Sequence, residues 1–266
     1  MRIIVCVKEV SDPEAPAELF KLDPERKMLV AGSKVPRVLN PFDEQAVEAA
    51  LRIKDKVGAM VIVLTLGAKL DRAVVRKPLS MGADELVLLE DQAFDPGDGV
   101  ATAQALAAAI RKLGDFDLIL TGRQAADWNG GQVGLWIAEE LGLPSVTVAR
   151  RIDIVDTKAR VERVCSDGVE TVEVTLPALV TVSNELGQAR YPTIANIRAA
   201  YQIQPVVWKP ADLGLDSAVS APATRRPTLL KLYQPVHDGI CEMVRGETVQ
   251  DAATQLALRL RHEGVL

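Results

Sequence analysis

The sequence predicts an α/β fold: a doubly wound, mainly parallel sheet carrying antiparallel hairpins and a C-terminal arm. Three observations predict it. Short unbroken apolar runs recur through the first two-thirds of the chain, as strands buried on both faces require. Amphipathic helical stretches stand between those runs, and strands alternating with helices imply crossover connections and parallel pairing. A stretch of alternating polar and apolar residues and a long proline-spaced segment follow neither pattern.

Taken in order, residues 3–7 (IIVCV) form the first strand, with Cys6 as a buried, inert thiol. Residues 41–56 form a helix whose apolar face is Ala46, Val47, Ala50 and Leu51; Asn40 is placed to cap it and Pro41 suits its first turn. Asp43, three residues after the cap, sits where a capping-box carboxylate would. Strands at 59–66 (AMVIVLTL) and 85–89 (ELVLL) follow, then a helix over 99–113 with Ala103, Leu106, Ala107 and Ile110 on one face. Residues 118–121 (LILT) make the next strand, 132–141 a helix, and 178–182 (ALVTV) the last buried strand. Before that last strand, 150–174 reads as antiparallel hairpins turning at Asp156-Thr157-Lys158 and Ser166-Asp167-Gly168.

Residues 201–235 contain Pro205, Pro210, Pro222, Pro227 and Pro235 and little helical periodicity. So long a stretch without structure of its own does not belong inside a compact domain, and it reads as an arm laid across a partner. It ends in a helix, where Val249, Ala252, Ala253, Leu256, Ala257 and Leu260 recur at three and four residues. The expected organisation is an α/β domain over 1–200 and an arm with its terminal helix over 201–266.

With 48% apolar and 25% charged residues, the composition is that of a globular protein. A net charge of −5 offers no basic stripe, so nucleic acid is not expected as a partner. Cys6, Cys165 and Cys241 fit neither a disulfide framework nor a metal-ligand spacing, and His237 and His262 are too few for a metal or acid–base centre. No metal site is expected. No apolar run approaches the ~20 residues of a membrane span, and Met1-Arg2 leads straight into the first strand, so the expected location is the cytoplasm.

Residues 118–134 (LILTGRQAADWNGGQVG) have the most to offer a ligand. Gly130 and Gly131 remove side chains where a ligand can approach the backbone, and free amides at the next helix start attract a phosphate. Ligands of open α/β sheets bind at the carboxyl ends of strands, so a nucleotide phosphate fits here, although the loop is neither a Walker loop nor GxGxxG. An ordinary strand–helix loop is the alternative. The loop before the helix at 41 can face the same crevice. Asp127, beside Trp128, reads as a solvated loop carboxylate; without a nucleophile elbow or paired carboxylates, no catalytic residue is assigned.

Several stretches together resemble the electron-transfer flavoprotein beta family. MRIIVCVKEVSD, NPFDEQAVEAALRIKD, MGADELVLL, DLILTGRQAAD, GQVG and LPALVTVSNELGQARYPTIANI follow in family order, and the tail from VVWKPADLGLD onward continues the match. The resemblance implies a flavodoxin-like, adenine-nucleotide-binding fold and an obligate alpha subunit that holds the electron-carrying FAD. It implies electron exchange with flavin dehydrogenases or a quinone oxidoreductase. It also implies a nucleotide in this chain: AMP in ordinary members, a second FAD reduced by NADH in electron-bifurcating ones. Carried over for that nucleotide are Val7, Glu9, Asn40, Pro41, Phe42, Leu66, Gly122, Arg123, Gln124, Ala125, Asp127, Asn129, Gly130, Gly131, Gln132, Val133 and Gly134. The docking loop maps to 186–195, with Leu186, Arg190, Tyr191 and Ile194; Ile194 stands where the family has an anchor leucine.

Bifurcating members show D-G-D-T-A-Q-V-G-P in the phosphate loop. Here Asp127-Trp128-Asn129-Gly130-Gly131-Gln132-Val133-Gly134-Leu135 lacks the threonine hydroxyl and one carboxylate, which favours AMP. The Gln132-Val133-Gly134 end and DQAFDPGDGVATAQALAAAI side with the bifurcating branch instead. The reading from another class is a universal-stress-type nucleotide-binding protein, which needs no alpha subunit and leaves the arm without a reason.

Overall fold

β1 (Arg2–Val7) is buried from Ile3 onward and lies inside the sheet, hydrogen-bonded on both edges. Four short strands follow, β2 (Glu9–Ser11), β3 (Phe20–Asp23), β4 (Met28–Ala31) and β5 (Arg37–Leu39), with β2 antiparallel to β5 and β3 to β4. α1 (Pro41–Val57) has its proline in the first turn and stops at Gly58, whose left-handed φ of 72° turns the chain out of the helix. The chain continues through β6 (Met60–Gly67), α2 (Arg72–Val75), α3 (Lys77–Met81) and β7 (Glu85–Glu90). α4 (Gly99–Leu113) is capped by the Asp98 carboxylate; β8 (Leu118–Gly122) and α5 (Val133–Leu141) come next. The alternating stretches become β9 (Ser145–Val155), β10 (Lys158–Cys165) and β11 (Gly168–Thr175), and full burial returns in β12 (Ala178–Val182). α6 (Ile194–Gln202), β13 (Val206–Trp208) and α7 (Val249–His262) complete the chain.

The structure is a computed structural model and describes all residues except Arg26, Ser33, Ile240, 95–97, 216–228 and 236–238. Pro222, Pro227 and His237 lie outside the described residues.

Nine strands make one sheet in the order β11-β10-β9-β12-β8-β1-β6-β7-β13. Pairing is parallel from β9 to β13 and antiparallel among β9, β10 and β11. Because side chains alternate between faces, the central parallel strands β12, β8, β1, β6 and β7 feed two cores. Ile3, Val5 and Val7 pack with α1 and α3 on one face, and Ile4 and Cys6 pack with α4 and α5 on the other. That double burial is why the strands read as unbroken apolar runs. Cys6 is buried as expected, and burial pushes its thiol up to about 12, helped by the Asp43 carboxylate beside it.

The sheet reaches past residue 200, where a domain boundary was expected. β13 pairs with β7 as an edge strand, and Trp208, Leu213 and Leu215 pack on the second core. A strand of three residues is too short to show a period, yet it finishes the edge. α7 forms where its stripe predicts, and none of its residues is buried against this chain. Among the described residues, no helix is long and apolar enough to cross a membrane.

Candidate functional site

From β1 the chain runs outward through β6 and β7, then crosses back to β8 on the other side of β1. The strand order reverses there, and the crevice beyond the carboxyl ends of β1 and β8 is where such sheets bind ligands. Val7, Lys8 and Glu9 enter it from β1, the loop after Gly122 from β8, and Asn40 to Asp43 from the start of α1.

One carboxylate joins all three. Asp43 is buried and accepts from the backbone amides of Lys8 at 2.7 Å and Gly122 at 3.0 Å. This corrects the capping-box expectation. The Asn40 amide donates instead to the Lys8 carbonyl at 2.8 Å, which leaves Asp43 to bridge two strand ends. Nor does the Asn40 side chain cap its own helix. Its amide group donates to the Gln124 carbonyl at 2.8 Å and its oxygen accepts from the Ala126 amide at 3.0 Å, folding the loop after β8 back over α1. The approach requires glycine at 122, since a methyl group there would lie 2.7 Å from the carbonyl carbon of Phe42.

The loop is tied down at several further points. Arg123 donates its amide to the Val182 carbonyl at 2.8 Å, the Ala125 carbonyl accepts from the Asn129 amide at 2.8 Å, and Gln124 donates to the Asn129 side chain at 2.8 Å. Lys8 pairs with Asp127 at 2.7 Å, so Asp127 is latched to the end of β1. The Arg123 guanidinium lies 4.9 Å from the Phe42 ring centre, and its Nε is buried with no hydrogen-bond partner among the described residues. Gly130 stands in open space, and Gly131 adopts a left-handed φ of 62°. α5 then starts abruptly: Gln132 makes no side-chain cap and the first turn holds no acidic residue. Gln132 and Val133 lie beside Gly99, so the start of α4 faces the same place. An orphaned arginine nitrogen, an uncapped helix start and an open glycine suit a phosphate-bearing nucleotide.

Other residues carried over by resemblance have different parts. Gly134 is a packing glycine, because a Cβ there would lie 2.7 Å from the Thr121 hydroxyl and 3.2 Å from Thr181. Glu9 is buried and already engaged by the Asp71 amide at 2.7 Å and Arg37 at 2.9 Å, which braces the wall of the crevice. Val7 belongs to the first core, Leu66 is half-buried at the end of β6, and Pro41 is exposed at the start of α1. Lys8 and the bridging role of Asp43 were not legible beforehand, and no local signal announces them, since the Asp43 partner Gly122 is 79 residues away.

The proposed docking loop leaves β12 through a short turn (Asn184–Leu186) and enters α6. Tyr191 is 82% exposed and Ile194 72%. Leu186 is the exception: only 8% exposed, it packs into the first core and offers a partner no side chain. Arg190 folds back onto α1.

Asp43 also predicts a pH dependence. Burial pushes its carboxyl from 3.8 to about 7, against the opposing hydrogen bonds from Asn40, Lys8 and Gly122. A folded-state value above the unfolded one contributes stability that is complete at low pH and is lost as pH rises through the folded value. The stability difference between wild type and Asp43→Asn should therefore decline from pH 3.8 to about 7 and then level off. Chemical denaturation across that range reads it; a flat difference would place the titration elsewhere.

The family model for the electron transfer flavoprotein domain matches residues 27–213. The chain is 39% identical over 267 residues to the caffeyl-CoA reductase-Etf complex subunit CarD of Acetobacterium woodii, covering 100% of each. It is 42% identical over 212 residues to an electron transfer flavoprotein subunit beta of Thermoanaerobacterium thermosaccharolyticum, covering 80% of this chain and 79% of that one. It is 35% identical to the protein FixA of Azorhizobium caulinodans, covering 87% and 83%. A doubly wound sheet with its crevice at the reversal of strand order agrees with these matches, and the chain belongs to the electron transfer flavoprotein beta subunit family.

Proposed function

We propose that this chain works with an alpha subunit, which holds FAD, to carry electrons between flavin dehydrogenases and an acceptor such as a quinone oxidoreductase. Its own crevice holds AMP. The observation that carries the pocket is the uncapped start of α5 beside the buried Nε of Arg123, which has no partner among the described residues. Backbone amides there bind phosphate, Arg123 and Phe42 form one wall, and the Lys8–Asp127 pair closes the loop over it. The exposed apolar residues Val249, Leu256 and Leu258 of α7 support an alpha subunit as the partner that covers them.

A second reading places a second FAD, reduced by NADH, in the same crevice. The match along the whole length of a subunit of a reductase–Etf complex favours it. The two readings separate by extracting nucleotides from the heterodimer purified after co-expression. Equimolar AMP and FAD are expected. FAD in twofold excess over heterodimer without AMP establishes the second reading, and one FAD with no other nucleotide rejects the pocket.

A further inference from the structure

Among the described residues, 188–192 make no backbone–backbone hydrogen bond, although this stretch leads to Ile194 and contains Tyr191. What holds it is one face of α1. Glu48, 5% exposed, accepts from the Arg190 backbone amide at 3.2 Å and from its Nε at 2.8 Å. Arg190 also reaches Asp55 at 2.8 Å. Arg52 pairs with Glu48 at 2.8 Å and donates to the carbonyls of Leu186 at 2.9 Å and Gln188 at 3.2 Å. Three side chains spaced four and three along a helix thus hold the loop at its entry and its middle. Burial alone would raise the Glu48 carboxyl, but the bonds from Arg190 and Arg52 outweigh it and hold the group below its ordinary range.

We infer that Glu48 is a positioning residue for docking: through Arg190 and Arg52 it holds the loop in the shape that presents Tyr191 and Ile194 to a partner dehydrogenase. It does not touch the partner itself. The inference rests on reading 186–195 as the docking loop. A loop that must be ordered during binding loses its conformational entropy at that moment, whereas a loop already held does not. Glu48 also lies outside the nucleotide crevice, near the middle of α1, so its effect on docking is separable from flavin and nucleotide content.

The test uses the heterodimer purified with its alpha subunit, carrying Glu48→Gln or, separately, Ile194→Ala. For Glu48→Gln the KM for the partner dehydrogenase should rise about tenfold through lost preorganisation, with kcat and flavin content unchanged. Amide hydrogen exchange over 187–193 should accelerate. For Ile194→Ala the KM should rise with exchange unchanged, because that variant removes a contact and not the support. Unchanged exchange in Glu48→Gln overturns the inference, as does an unchanged KM in that variant when Ile194→Ala raises it. An unchanged KM in both variants rejects the docking loop itself, and the inference with it. If Glu48→Gln does not fold, Asp55→Asn releases Arg190 from the exposed side of the network; a KM increase of about twofold is then expected, and none overturns the inference.

Discussion

Gly122→Ala is expected to melt roughly 5–10 °C below the wild type and to lose the nucleotide proposed for this chain. The added methyl group meets the main chain of Phe42 at 2.7 Å and the Asp43 carboxylate, and backbone cannot swing aside as a flexible side chain does. Either α1 retreats from β8 or the end of β8 bends away from β1. Both movements break the bridge from Asp43 to Lys8 and Gly122. Overpacking of this kind costs about 1–3 kcal/mol, and losing the buried hydrogen bonds adds to it. Differential scanning calorimetry, with nucleotide extraction beside it, reads both effects. Gly130→Ala is the matched control: nothing lies within 4 Å of its would-be Cβ, and its melting temperature should stay near the wild-type value. A Gly122→Ala protein as stable as that control would mean that α1 and β8 do not meet this closely.

The second large effect belongs to Gly131→Val. A branched side chain at a φ of 62° meets the left-handed penalty of roughly 1–2 kcal/mol, and its Cβ lies 3.3 Å from the Arg123 carbonyl. It also places bulk where the proposed phosphate would approach the start of α5, whose dipole favours negative charge by about 0.3–1 kcal/mol. The variant should lose the AMP, or the second FAD, proposed for this chain, while the FAD proposed for the alpha subunit survives. Chromatography of the extracted nucleotide beside the flavin spectrum separates the cases. Full retention of the nucleotide rejects the phosphate loop, and loss of every cofactor together signals a fold that has failed.

The central parallel strands were legible because each had to satisfy two cores at once, which makes residues 3–7 of β1 and 178–180 of β12 unbroken apolar runs. The hairpins β9 to β11 were legible for the opposite reason, one face toward the core and one toward water. β2 and β5 were not, because three residues cannot display a period of two. β13 shares that limit and borrows its place from β7. At the site, the glycines and the helix start were readable as local features. Asp43 was not: its neighbours in sequence describe a helix cap, and its work is decided by amides from β1 and β8 that only the finished fold brings near.

The connection from β12 to β13 has a further consequence. It leaves one side of β1, passes β8, β1, β6 and β7, and arrives at the opposite edge of the same sheet. Trp208 at its far end packs on the second core beneath Lys112, whose ammonium lies 4.9 Å from the ring. Strand side chains alternate, so pulling the chain by one residue would bring Val207 to that position and turn the indole to the other face. The loop proposed for docking is therefore a span fastened at both ends. Its residues can be substituted without moving either end, but it cannot be shorter than the width of the sheet beneath it. Under the docking proposal a change of partner is met by substitution or insertion, whereas a deletion would pull β13 along β7.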